Sequence, residues 1–585
     1  MRTKLLFLIF STLLANISLT NAQGFLKARS TIIVDGSGRK LILRGMGLGG
    51  WMLQEGYMFR LGNIGQQYRI RDKIQDVVGP EKTALFYDQW LTHHTTGADI
   101  DSLAAWGFNS IRLPMHYGLF TLPVGQEPVA GQNTWLEKGF ALTDSLLRWC
   151  ARNKMYLILD LHATPGGQGN DLPISDRNPA SPSLWESEAN RQKMIALWRK
   201  LAERYAKEPY IGGYDIINEP NWGFQDTKDT RGNKEQLNAP LKELMMNITK
   251  AIREVDTNHI IIIEGNGFGN NYNGLLPAWD SNMALSFHKY GNFNNDADIR
   301  RFLDLRDKYK VPLWMGESGE NSNNWYTHAI GLVESHDIGW AWWQSKKMGI
   351  NQPMEIKVPA GYQQLLDYWS GKGPRPSEAE AWNTLQQLLD NLSIKNNIFH
   401  PDVIDAMFRQ VRSADTKPFK EHRLGSAPLV INAVDYDLGR QGSAYYDKDT
   451  ARYQYTPGVN TNGNRGHTYR NDGVDIQTGA VGPYVFSIED GEWMQYTVNV
   501  EKTDVYTLQF KTAADSDSGR ISLLDGNEPL VHDKPVPDSK GLQNWQTLGI
   551  KGIRLKKGLH RFRIYANKGG FNLLTIQLFP PLSDR

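Results

Sequence analysis

Residues 212–223 read GGYDIINEPNWG: a short apolar run that stops on an amide, a carboxylate and a proline. Tyr214 to Ile217 carry no polar alternation, which suits a strand buried on both faces. Packing alone gives no reason to finish such a strand with Asn218 and Glu219. The meaning of the pair depends on how the neighbouring apolar runs end.

Seven other runs share this character: LILRGMGLGG, GFNSIRLP, MYLILDLH, HIIIIEGNG, ALSFHKY, VPLWMGES and IGWAWWQ. Between them lie amphipathic stretches such as EKGFALTDSLLRWCARN, EANRQKMIALWRKLAERYAKE and APLKELMMNITKAIREVD, with apolar residues at i, i+3 and i+4. Eight non-alternating strands separated by helices over roughly 320 residues predict a parallel sheet closed into a (β/α)8 TIM barrel. A doubly wound open sheet is the alternative, but its glycine-rich phosphate loop is missing. An earlier stretch, STIIVDGSGRKLILRG, has the pattern of a hairpin around Asp35-Gly36. TIM barrels build their sites at the C-terminal strand ends. Those ends supply Trp51, Arg112, His162, Asn218 with Glu219, Glu264, His288 with Tyr290, Glu317 and Trp343.

Two glutamates among these ends suit hydrolysis of a glycosidic bond. That reaction needs one carboxylic acid at the leaving oxygen and one carboxylate beneath the anomeric carbon. Their surroundings must separate their proton affinities, and Arg112 is the charge available to hold one of them ionised. Glu264 and Asp160 are read as structural, and Lys346 and Lys347 as a solvated face. The loop from Asn170 to Leu184 is long enough to wall off one end of a cleft. No His-x-His pair ends a strand, so no metal and no cofactor is expected.

Taken together, GFNSIRLP, LDLH, INEP, SFHKY, GES and GWAWWQ resemble family 5 of the glycoside hydrolases, the cellulase-type retaining enzymes. The resemblance covers about Leu41 to Trp343. It implies Glu219 as acid/base, Glu317 as nucleophile, and a carboxyl separation of about 5–5.5 Å. It also implies Asn218 at the sugar 2-hydroxyl, Tyr290 on Glu317, His288 beside Glu219, His162 and Arg112 in the polar floor, and Trp343 as the sugar platform. GMGLGGWMLQE resembles the start of fungal-type exo-β-1,3-glucanases in that family, which implies Glu55 as a substrate contact and tilts the substrate towards a β-glucan. Trp51, at its strand end, is read as a substrate contact with loop packing as the alternative. The same mechanism on mannan or xylan, and a catalytically dead sugar-binding barrel, remain open alternatives.

Composition turns polar around Asp415–Pro428, and beyond it the pattern is all strand: EWMQYTVNV, VYTLQFKTAA, RISLLDG, GLHRFRIYA and FNLLTIQLF. The reading is a barrel domain over 23–417, a linker at 418–428, and an all-β jelly-roll sandwich over 429–585. DYDLGRQGSAYYD, TYRNDGVDI, GEWMQYTVNV, NWQTL and GGFNLL resemble family 6 carbohydrate-binding modules. That resemblance implies a sugar sandwiched by Tyr469 and Trp545, with Gln441 and Asn572 on its hydroxyls. Two glutamates that help hold calcium in that family are replaced by Asn432 and Val434, so calcium is not expected.

The formal charge of +2 gives no field for a nucleic-acid partner. No run after the first residues has the ~18 apolar positions of a membrane span. The start, MRTKLLFLIFSTLLANISLTNAQG, reads as a signal peptide over 1–22, hence a secreted or periplasmic protein. The single cysteine, Cys150, allows no internal disulfide. The expected partner is a β-linked polysaccharide or oligosaccharide, met by a monomer.

Overall fold

The computed structural model describes residues 24–448 and 463–581, so the expected signal peptide lies outside the described residues. No helix among the described residues is long and apolar enough to cross a membrane. The first half is a closed eight-stranded barrel: β1 (Arg44–Gly47), β2 (Ser110–His116), β3 (Tyr156–Ala163), β4 (Ile211–Asp215), β5 (Ile260–Glu264), β6 (Met283–Lys289), β7 (Leu313–Gly319) and β8 (Gly339–Trp343). Each strand runs parallel to its neighbours, and β8 closes the ring against β1. All but the end positions of β1 and β2 are buried, because helices cover the outside and side chains fill the inside. This is why the runs lack polar alternation.

The period-2 pleat sorts each strand into an inward and an outward set. Along β3 the inward residues are Tyr156, Ile158, Asp160 and His162, and along β5 they are Ile260, Ile262 and Glu264. The inward set is therefore apolar at the bottom of the barrel and charged at the top. At the bottom Tyr156, Ile158, Ile260, Ile262, Ala284 and Trp314 pack with Leu26 and Ile33 of the N-terminal ribbon, which plugs that end. The ribbon pairs Lys27–Arg29 with Ile32–Val34 and turns before Asp35. The expected Asp35-Gly36 turn follows it, closed by a single Val34–Lys40 bridge. At the top, the β6–β7 pairing shifts register after Phe287, which sets His288 beside Glu317.

The helices that cover the outside follow local signals. Glu188–Tyr205 is capped by Ser187, and Asn323–Ser335 by Ser322, whose side chain accepts from the Trp325 N–H. Helix Pro401–Phe408 packs against Asn323–Ser335, and Thr327 Oγ1 donates to the Ala406 carbonyl.

The C-terminal region is a sandwich of two six-stranded sheets around one apolar core. The expected linker is part of it. His422–Leu424 is a strand paired with Trp493–Val500, its residues alternating buried, exposed, buried. A charged edge strand has the composition of a linker, and only the pairing distinguishes the two. Lys346 and Lys347 also depart from expectation. Lys346 is buried, its ammonium donating to Asp99 Oδ1 at 2.6 Å, to the His94 carbonyl at 2.7 Å and to the Leu392 carbonyl at 2.9 Å. An ammonium has three donors, and here each finds an oxygen. Lys347 pairs with Glu320 at 2.6 Å.

Candidate active site

The top of the barrel is organised around Arg112, which is fully buried. Its Nε donates to Asp215 Oδ2 at 3.0 Å and its Nη1 to Glu317 Oε2 at 2.7 Å. Its Nη2 donates to Asn218 Oδ1 at 2.7 Å and Glu264 Oε1 at 3.2 Å, and Asp160 Oδ2 lies 3.2 Å away. One guanidinium thus binds side chains from four other strands or strand ends. Asp160, Asp215, Glu317 and Glu264 together overcome the effect of burial and raise the proton affinity of Arg112 further. Its planar fork of five donors suits this task better than an ammonium would.

Glu219 and Glu317 meet above this floor. One carboxylate oxygen from each, with a ring nitrogen of His288, lie within 4.8 Å of one another. Glu219 sits past β4 in the left-handed region at φ 40°, and its backbone N–H donates to Glu264 Oε2 at 2.7 Å. That anchor holds a side-chain-bearing residue in a costly conformation. His288 Nδ1 is 2.6 Å from Glu219 Oε1 and Nε2 is 3.0 Å from Glu264 Oε1. On Glu317, Tyr290 donates its hydroxyl to Oε1 at 2.6 Å while Arg112 holds Oε2.

The two carboxyls therefore differ in surroundings. Burial holds Glu219 above the ordinary carboxylate range; His288 pulls it down and the Glu317 charge pushes it up. Glu317 instead faces a cation and a phenol, so its negative charge is compensated in place. His288 would be lowered by burial, but Glu264, then Glu317 and Glu219, raise it well above the ordinary imidazole range. This pair can present a proton and a nucleophilic oxygen to a single carbon between them. The same three side chains are spaced for a small cation, and they also take part in the hydrogen bonds just described.

The remaining expected residues divide into three groups. His162 and Trp343 are in the cleft, their rings stacked at 5.2 Å and 5°. His162 Nδ1 is held by Asp160 Oδ2 at 2.8 Å, and its Nε2 lies 3.2 Å from the Asn218 amide. Trp343 donates Nε1 to the Tyr57 hydroxyl at 2.8 Å. Glu55 also lines the cavity; it is buried and raised well above the carboxylate range, first by burial and then by Glu317. Its carboxyl has no hydrogen bond among the described residues, which leaves it for a ligand. Trp51 is a correction: it is buried at 1% exposure with Nε1 on the Leu91 carbonyl at 2.8 Å, outside the cleft. Its ring turns into the core between barrel and helices because the chain reverses at Gly50 (φ 86°) just before it.

No hydrogen bond or ring contact joins the four expected module residues to one another among the described residues. Tyr469 bonds Asp435 and Lys420 through its hydroxyl and packs against Phe419. Trp545 meets Tyr484 edge-on at 5.0 Å, near the shallow cavity that Asn572 helps to line. Gln441 is engaged with the Asp447 backbone. Asp435 and Lys420 hold the Tyr469 hydroxyl, and Tyr484 is the aromatic in contact with Trp545.

The main cavity measures 850 Å³. Asp171 and Ile174 of the 170–184 loop line one side, and Pro173 lies close against Gly65. Tyr57, Glu320, Arg231, Asn270, Asn292 and Arg301 also face it. Sequence reading missed these residues because none stands at the end of an apolar run: most come from loops, and Arg301 from the helix Asp296–Tyr309.

The Cellulase model (glycosyl hydrolase family 5) matches residues 73–349, and the family 6 carbohydrate binding module matches 466–579. A β-xylosidase of Phanerodontia chrysosporium is 34% identical over 427 residues, covering 67% of this chain and 83% of the relative. The chain belongs to glycosyl hydrolase family 5. It is a retaining β-glycoside hydrolase with a family 6 module, and its substrate is a polysaccharide. The hydrolase is also similar to Endoglucanase C of Acetivibrio thermocellus, 25% identical over 334 residues, covering 46% of this chain and 90% of the relative. A probable glucan 1,3-β-glucosidase A of Aspergillus clavatus is 25% identical over 293 residues, covering 47% and 64%.

Proposed function

We propose that the hydrolase removes sugar units from the end of a β-glucan by double displacement, with Glu317 as nucleophile and Glu219 as acid/base. The observation that carries this is the meeting of two glutamates, one burial-raised and one held by Arg112 and Tyr290, across a gap of less than 5 Å. In the first step a Glu317 oxygen bonds to the anomeric carbon, the glycosidic C–O bond breaks, and the Glu219 proton goes to the leaving oxygen. In the second, Glu219 takes a proton from water, whose oxygen bonds to the anomeric carbon and releases Glu317. Asn218, braced by Arg112 and His162, faces the 2-hydroxyl, and Trp343 lies under the ring. Attack at a chain end is favoured by the wall of Asp171 and Ile174 and by Glu55, a buried acceptor free to bind the terminal sugar's hydroxyls.

A second reading, cleavage of β-xylosides, is favoured by the name of the 34% identical relative. The family 6 module would bind the same polysaccharide. We further propose that the protein works as a secreted monomer, with residues 1–22 removed on export.

Product analysis on linear β-1,3-, β-1,4- and β-1,6-glucans and xylo-oligosaccharides separates these readings. Glucose as the first product from one glucan, absent with Glu219→Gln, supports the proposal. Xylose alone favours the second reading, a ladder of oligosaccharides contradicts attack at the chain end, and no turnover of any substrate contradicts the enzymatic assignment of the two glutamates.

A further inference from the structure

β7 carries Glu317, and the loop leaving it touches the C-terminal module before entering the helix Asn323–Ser335. Gly319 ends the strand, and Glu320 follows in the left-handed region at φ 54°. Glu320 lines the main cavity beside Glu55 and Glu317, its carboxylate accepting from Lys347 at 2.6 Å. The next residue, Asn321, is buried, and its carbonyl accepts from the side-chain amide of Asn471 in the module at 2.7 Å.

The grip extends two residues further. The Asn323 N–H donates to the Asn471 carbonyl at 2.9 Å, and the Asn471 side chain donates to Asn323 Oδ1 at 3.1 Å. The Asn323 amide reaches Asp402 of the barrel at 2.7 Å and Asp472 of the module at 3.0 Å. Asp402 Oδ2 also accepts from the Asn471 N–H at 2.8 Å. On the module side, Arg470 bonds Asp472 and lies over the Tyr436 ring at 3.6 Å. Asn321, Asn323, Asp402, Arg470, Asn471 and Asp472 are all at most 2% exposed. Asn321 Nδ2 and Asp402 Oδ1 find no partner among the described residues, but the hydrogen bonds across the junction favour one geometry, because displacement would break several of them at once.

We infer that Asn471 is a positioning residue for the cleft: the module fixes the Asn321 carbonyl and thereby places Glu320 to accept hydrogen bonds from substrate hydroxyls. The module then shapes substrate binding in the barrel, separately from any sugar it binds itself. This rests on the cleft's being the active site, as proposed above.

A 4-nitrophenyl β-glycoside fills only the cleft, so its hydrolysis reads the barrel alone. In the full chain, Asn471→Ala is expected to raise KM by roughly five- to tenfold, the scale of one lost hydrogen bond, with kcat changed less than about twofold. Asn471→Ser, which is small, neutral and too short to reach the Asn321 carbonyl, should do the same. Glu320→Gln should raise KM alone, and the double variant Asn471→Ala/Glu320→Gln should be no worse than Glu320→Gln, since both remove one contact. Unchanged KM in the Asn471 variants, or additive losses in the double variant, would overturn the inference. Glu219→Gln separates the two levels. If it is inactive while the Asn471 variants keep wild-type KM, only the inference fails; if it turns over normally, the active-site reading fails.

Discussion

His288 sits between two carboxylates and sets the proton balance of the site. Its charge favours the anion of Glu219, so it works against burial and against Glu317 in setting that residue's proton affinity. Activity needs Glu219 protonated, and should fall as pH rises through its raised pKa. Replacing His288 by Gln removes the cation that lowers Glu219, leaving burial and the Glu317 charge. The alkaline limb of the kcat/KM profile should therefore move to higher pH, along with an overall loss of rate; movement to lower pH would show that His288 acts otherwise. The residues that made this legible in the sequence were those at or near the ends of apolar runs: Arg112, His162, Glu219, His288 and Glu317. Asp215 was overlooked because it stands inside an apolar run, where its only signature is its place in the inward-facing series. Trp51 misled for the opposite reason, standing at the end of a run whose glycines turn the chain away.

Those glycines have a task at the level of the β1 strand and its loop. A methyl group at Gly49 would lie 2.7 Å from Trp343 Cζ2 and 2.8 Å from Gln344 Oε1, and one at Gly47 would lie 2.9 Å from Trp343 Cε3. The indole occupies the space that side chains would fill, and its stack on His162 depends on that space. Gly49→Ala should push the indole off His162 and destabilise the fold by about 1–3 kcal/mol, the usual range for overpacking. Thermal melting should register the cost, and a raised KM the lost platform; a variant with wild-type melting and KM would contradict this role. The eight strands were readable because burial on both faces removes polar alternation. The short edge strand His422–Leu424 was not, since half-exposed strands and linkers share a composition. Lys346 was equally hidden: its partners Asp99, His94 and Leu392 are distant in sequence, so nothing local marks it as buried.

Across the whole molecule, barrel and sandwich have separate apolar cores but are joined by the buried Asn321–Asn323, Asp402 and Arg470–Asp472 network. Interfaces within a chain usually permit relative motion. This one is knit by side chains that lose their partners on separation, so the two parts should unfold together. Calorimetry on the full chain should give a single transition, and two resolved transitions would show that the docking is weak. A stiff attachment also changes how the module serves catalysis. A flexible tether raises local substrate concentration over a broad volume, whereas a docked module presents a polysaccharide along one fixed direction relative to the cleft. None of this could be read from the sequence, in which Asn323, Asp402 and Asn471 are ordinary polar residues far apart.

The central claim is that Glu317 bonds to the sugar while Glu219 handles the proton. A 2-deoxy-2-fluoro β-glycoside with a good leaving group tests it directly, because the fluorine slows the second step and traps the covalent intermediate. Mass spectrometry of the digested, inactivated hydrolase should find one fluorosugar, on the peptide carrying Glu317 and attached to that side chain. A sugar on Glu219, Glu264 or any other residue would contradict the account, as would steady turnover of natural substrate by a chain that never acquires the label.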